Sequence, residues 1–157
     1  MDWVPWLLYA HILGAIAAFG PGFAFPFLGA AAGREPQHGG FLIRASHTIV
    51  TRLILPIALL QIVTGVGLIL AESIDLLVAR WLLVALVLYG LTLYIAIGLN
   101  LPNIRRLIEM TSTPPPPGAG GPPPELVQRL ANGRRYGLAM TGLIVIIVGL
   151  MVVKPTF

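Results

Sequence analysis

Residues 136–153 read YGLAMTGLIVIIVGLMVV, a run of eighteen residues without one charged side chain. Coiled as a helix at 1.5 Å per residue, such a run is ~27 Å long, close to the ~30 Å hydrocarbon thickness of a bilayer. Three further uncharged stretches of like composition precede it, Trp3 to Gly33, Leu53 to Ala71 and Trp81 to Ile104. In lipid every backbone N–H and C=O must be satisfied within the protein, which a helix does on its own and a lone strand does not. The sequence therefore predicts an all-α, four-helix transmembrane bundle. It forms one membrane domain over residues 1–157, with spans at roughly 6–31, 48–71, 81–101 and 136–153.

Composition agrees with lipid as the solvent. At 57% hydrophobic and 10% charged, the 157 residues lack the polar surface of a soluble domain. A net charge of +4 could suit nucleic acid, but the basic residues sit beside the apolar segments, so the bilayer is the expected partner and nucleic acid is not. Eight of the ten, Arg34, Arg44, Arg52, Arg105, Arg106, Arg129, Arg134 and Arg135, fall in or beside the first and third connections. The positive-inside rule makes those connections cytoplasmic. Both termini and the connection carrying Glu72 and Asp75 then lie on the outer, non-cytoplasmic side, with Trp3, Trp6 and Trp81 as interfacial anchors. The expected location is a cell membrane, multi-pass, of the bacterial inner-membrane type.

Without cysteine there is no disulfide, thiolate metal site or iron–sulfur cluster. Ala30-Ala31-Ala32-Gly33 faintly resembles a signal-peptidase site, but Asp2 replaces a basic start and the segment is too long, so it is read as a retained span.

Local signals punctuate the rods. Gly20-Pro21-Gly22 and Pro26 predict a bend in the first span. Arg34 to Ala45, with Pro36 and Gly39-Gly40, reads as an ordinary loop, and Ser46 as the cap of the second span. Thr64, Gly65 and Gly67 suit close helix packing, Gln61 should face the bundle interior, and Arg52 can snorkel to the headgroups. The third span ends near Pro102, beyond which Ile104 to Met110 reads as a short amphipathic piece on the cytoplasmic lipid surface. Thr113 to Pro124 holds seven prolines and is expected to be a solvated cytoplasmic linker. A helix can start at Glu125, with a break at Asn132-Gly133 before Arg134-Arg135 anchors the fourth span.

Intramembrane ionisable groups are the first suspects for chemistry, because burying them is expensive. His11 lies five residues past Trp6, hence ~7 Å inside the outer interface. A neutral imidazole there could ligate a tetrapyrrole metal axially, its other nitrogen held by a carbonyl or hydroxyl. The bland alternative is a packed histidine bonded to a neighbouring helix. His47 belongs to the opposite end, too far from His11 to share one metal, and His38 lies in the loop before it. No phosphate loop, HExxH, nucleophile elbow or intramembrane carboxylate pair occurs.

At Tyr9-Ala10-His11-Ile12-Leu13-Gly14-Ala15-Ile16, Arg135-Tyr136-Gly137-Leu138 and Leu150-Met151-Val152-Val153-Lys154-Pro155 the chain resembles a family of small predicted integral membrane proteins of unassigned function, domain-of-unknown-function family 2269. The likeness covers the four spans and implies their topology. More distantly, Ser46-His47-Thr48-Ile49-Val50-Thr51-Arg52-Leu53-Ile54-Leu55-Pro56 and the Val152-Val153-Lys154-Pro155 ending look like the small membrane protoporphyrinogen IX oxidases. That resemblance implies haem b held by a histidine early in the first span, matched by His11, and by a lysine just inside the third, where this chain has Ala85.

The resulting expectation is an integral membrane accessory or assembly subunit, not an enzyme, associating with other membrane subunits or with itself. His11 is its candidate metal ligand for one tetrapyrrole, haem b or a relative, with Gln61 and Tyr89 in support. The alternative is a haem-b membrane oxidoreductase resembling the porphyrinogen oxidases.

Overall fold

The computed structural model describes residues 3–112 and 121–156. Four helical rods dominate it, Val4–Arg34, Pro36–Ala71, Arg80–Ser112 and Pro124–Val153, each long and apolar enough to cross a membrane. Adjacent rods run antiparallel. Leu7 packs at Gly67, and Lys154 stands over Trp81, so residue 3, the connection 72–79 and residue 156 share one end. The arginine-rich connections share the other.

The first rod comprises α1 (Val4–Phe19), a 3₁₀ turn (Gly20–Ala24) and α2 (Phe25–Arg34). The tight turn falls where Pro21 and Pro26 remove donors, as the sequence predicts. The second rod comprises a 3₁₀ turn (Pro36–His38), α3 (Gly39–Ile49), a π-helical segment (Val50–Ile54) and α4 (Leu55–Ala71). The third is α5 (Arg80–Leu93), a π-helical segment (Tyr94–Asn100) and α6 (Leu101–Ser112); the fourth is the single helix α7 (Pro124–Val153).

Several local expectations are corrected. The loop expected over 34–45 shrinks to Glu35 and one 3₁₀ turn, because Gly39 and Gly40 start α3. Gly40 serves close packing there, since a Cβ on it would lie 3.6 Å from the Thr111 backbone. Ser46 sits inside α3 and caps nothing. The helical rod runs on through Pro102. A proline ring normally collides with the carbonyl four residues back, here Gly98, and that carbonyl lies in the π-helical segment, whose wider turns accommodate the ring. Pro56 follows the same arrangement, with Arg52 four residues back in the other π segment. The stretch 104–110 therefore prolongs the rod; Leu101, Asn103 and Leu107 are buried as α6 packs between α3 and α7. Nor does Asn132-Gly133 break α7. Asn103 Nδ2 donates to Arg129 O at 3.0 Å, and Gly133 leaves room for that carboxamide. The expected proline-rich linker lies outside the described residues over 113–120; Gly121, at φ +135°, leads into Pro124, the first residue of α7.

At the arginine-rich end α2, α3, α6 and α7 pack in a ring, whereas toward the other end α1 pairs with α4 and α5 with α7. The pairs are stitched at mid-height: Tyr89 Oη donates to Ala58 O at 2.6 Å and its ring meets Phe19 edge-on at 6.2 Å. The interior holds small and polar side chains, Ala18, Ala58, Ala85, Gln61, Thr64, Thr92 and Asn103, beside Val50, Leu82, Leu101, Leu107 and Ile147, while Trp6, Phe27, Leu70 and Val152 are more than 70% exposed. Large apolar groups facing outward, with polar ones turned in, are what hydrocarbon solvent allows.

Candidate functional site

Leu7, His11, Gly14 and Ala18 recur every three or four residues and so form one face of α1. That face lies against Gly67, Thr64, Gly65, Gln61 and Ala58 of α4, where the glycines let the backbones approach. His11 Nδ1 and Thr64 Oγ1 are 2.7 Å apart. Thr64 Oγ1 also lies 3.2 Å from Leu60 O, the carbonyl one turn back that helical threonines habitually donate to. The direction of the short contact follows the tautomer: when Nδ1 carries the proton, Thr64 accepts from His11 and donates to Leu60 O or Gln61 O. Nε2 then keeps its lone pair. A Cβ built at Gly65 would stand 3.3 Å from His11 Cε1, the carbon between the two nitrogens, so glycine lets α4 pack closely against that edge of the imidazole.

Gln61 completes the cluster: it is buried, with Oε1 3.4 Å from Thr64 Oγ1 and pressed toward Gly14. Tyr89 stands apart. Its hydroxyl is spent on Ala58 O, one turn along α4 from Gln61, and it bonds neither His11 nor Gln61. Ala85, where the oxidase resemblance calls for a lysine, is buried and has no donor.

The remaining imidazoles lie elsewhere. His38 is exposed in an i,i+3 contact with Glu35 at 3.7 Å, and His47 is on α3, its Nε2 buried with no partner among the described residues. Among those residues no three His, Asp or Glu side chains converge on a metal-sized space. At the arginine-rich end Glu125 binds Arg129 Nε at 2.9 Å and Arg106 Nε at 3.4 Å, tying α6 to α7. Sequence reading gave Thr64 only a packing role, although its i,i+3 spacing from Gln61 places both on one face of α4.

No curated protein and no solved structure matches the chain. Four apolar rods with a small-residue interior suit a family described only by its membrane location, and its model matches residues 5–155: the chain belongs to DUF2269, the predicted integral membrane proteins.

Proposed function

We propose that the chain is an integral membrane accessory or assembly subunit that carries one metal tetrapyrrole, haem b or a relative, on His11. The observation that supports this reading is the 2.7 Å bond between His11 Nδ1 and Thr64. It holds the ring in place, and in the tautomer that carries its proton on Nδ1 the Nε2 lone pair is free for a metal, as axial histidines require. Ala85 offers no second ligand to such a metal. A bound tetrapyrrole supplies a one-electron couple or light absorption. The chain's own contribution is to hold the ring: Thr64 orients the imidazole, and Gln61 backs Thr64.

The assembly role draws on α2, whose Gly29, Ala30, Ala31 and Gly33 are exposed small residues of the kind that lets another membrane helix approach. The arginine-rich end faces the cytoplasm by the positive-inside rule, in a membrane of the bacterial inner type.

An absorption spectrum of the full chain in mild detergent tests the ligand assignment. A Soret band that disappears in His11→Ala is expected; a folded, colourless parent from cells making abundant haem overturns it. A periplasmic reporter fused after Phe157 should be active, and a silent one with an active cytoplasmic counterpart overturns the orientation.

A further inference from the structure

At the end opposite the arginines, a groove of about 660 Å³ opens between the 72–79 connection and the last residues of the chain. Ile74 and Val78 supply apolar wall, and Asp75, Trp81, Lys154 and Thr156 supply polar and aromatic groups. Lys154 Nζ lies over the Trp81 ring, 5.7 Å from its centre. The Lys154 backbone is left-handed, φ +46° and ψ +57°, a conformation that favours glycine, and its N–H caps α7 on Leu150 O. Lysine in this place is a local strain retained at the mouth of a groove. On the facing connection Asp75 Oδ1 accepts from Leu77 N at 2.8 Å, which fixes the carboxylate and leaves its second oxygen uncommitted. Opposite charges thus line one groove, yet Asp75 and Lys154 make no ion pair with each other.

We propose that this groove binds the headgroup of a phosphatidylethanolamine, its phosphate on Lys154 and its ammonium on Asp75, with the acyl chains descending past Ile74 and Val78. A phosphate needs a cation, and the Lys154 ammonium gives a charge-assisted bond at interfacial depth, where Trp81 marks the boundary. The ammonium needs an acceptor, which Asp75 supplies. A choline headgroup has no N–H to donate, and the aromatic face it would choose instead is held by Lys154. A glycerol headgroup lacks the positive charge that Asp75 pairs. This site is independent of His11 and of any tetrapyrrole.

Native mass spectrometry of the full chain in mild detergent, titrated separately with phosphatidylethanolamine, phosphatidylcholine and phosphatidylglycerol, tests the assignment. Phosphatidylethanolamine should be retained about tenfold more tightly than phosphatidylcholine, the scale of one charge-assisted contact. Lys154→Gln should weaken both phosphatidylethanolamine and phosphatidylglycerol. Asp75→Asn, whose Oδ1 still accepts from Leu77, should lower phosphatidylethanolamine to the phosphatidylcholine level while sparing phosphatidylglycerol. Equal retention of the three lipids by the parent overturns the proposal, as does unchanged phosphatidylethanolamine retention in both variants. Soluble phosphoethanolamine should fail to displace the lipid at equal concentration; full displacement overturns the lipid source and assigns the groove to a free phosphate ester. If Lys154→Gln loses helicity by circular dichroism, the selectivity of Asp75→Asn decides alone.

Discussion

Gly14 lies so close to the Gln61 carboxamide that a Cβ at position 14 would stand 2.7 Å from Oε1. Real Cβ atoms essentially never stand so close, so the carboxamide, the far end of a flexible side chain, must swing away and give up its place 3.4 Å from Thr64 Oγ1. Gly14→Ala should therefore cost about 1 kcal/mol, the low end of overpacking. Gly14→Ala combined with Gln61→Ala should recover part of that loss, because the second change removes the obstructing group. Unfolding midpoints in a single detergent measure both. A Gly14→Ala protein as stable as the parent would show that Gln61 moves aside at no cost.

Thr64→Val keeps the shape of residue 64 and removes the oxygen that His11 meets at 2.7 Å. The imidazole then loses its orientation, and a hydrogen bond near ~1 kcal/mol goes with it. Thr64→Ser keeps the oxygen and should behave as the parent. In protein carrying a tetrapyrrole, Thr64→Val should broaden or shift the Soret band and weaken pigment retention ~10- to 100-fold, as loss of a ligand's outer partner generally does. Identical spectra and retention in Thr64→Val and Thr64→Ser would remove Thr64 from the ligand's support.

The rods were legible because the bilayer imposes them: eighteen uncharged residues leave few other ways to satisfy the backbone, and Gln61 had to turn inward. What was not legible depended on a second rod. Thr64 can satisfy itself on Leu60 O, so its bond to His11 follows from the register of α1 on α4 and not from its own sequence neighbourhood. Asn132-Gly133 stays helical because Asn103 reaches across from α6. Pro102 is tolerated because the preceding turns widen to π geometry, a choice that no residue type announces. Tyr89 was expected to support His11 alongside Gln61, and its hydroxyl instead bonds Ala58 O, a partner that the register of α5 on α4 decides.

Asn103 is 5% exposed and its Nδ2 bonds Arg129 O at 3.0 Å, making it the polar fastener between α6 and α7. Asn103→Ala should cost about 1–3 kcal/mol through the lost bond and the gap beside Gly133. Asn103→Leu should cost more, since two bulkier methyls that cannot donate replace Oδ1 and Nδ2 beside Gly133, whose built Cβ stands 3.4 Å from Nδ2, and leave Arg129 O without that partner. Unfolding midpoints in a single detergent read the loosening: they should fall in the order parent, Asn103→Ala, Asn103→Leu. Equal midpoints in the three would assign the α6 to α7 contact to the Glu125 ion pairs instead.

The end of α4 offers a gain in stability. Ile74 N donates to Ile69 O at 3.0 Å and Ser73 N to Leu70 O at 3.3 Å, the paired bonds of a helix ending that places its fifth residue in left-handed conformation. Ser73 occupies that place at φ +51°, where a side chain crowds the backbone and glycine does not. Glycine has its own cost, the larger freedom it gives up on folding, so the net benefit is smaller than the steric relief. Ser73→Gly should stabilise the bundle by roughly 0.5 kcal/mol. Ser73→Val, branched at Cβ, should destabilise it by about 1 kcal/mol or more. Hydrogen exchange at Ser73 and Ile74 amides localises the effect, slowing in the first variant and quickening in the second. A change confined to distant amides would mean that the turn is not under strain.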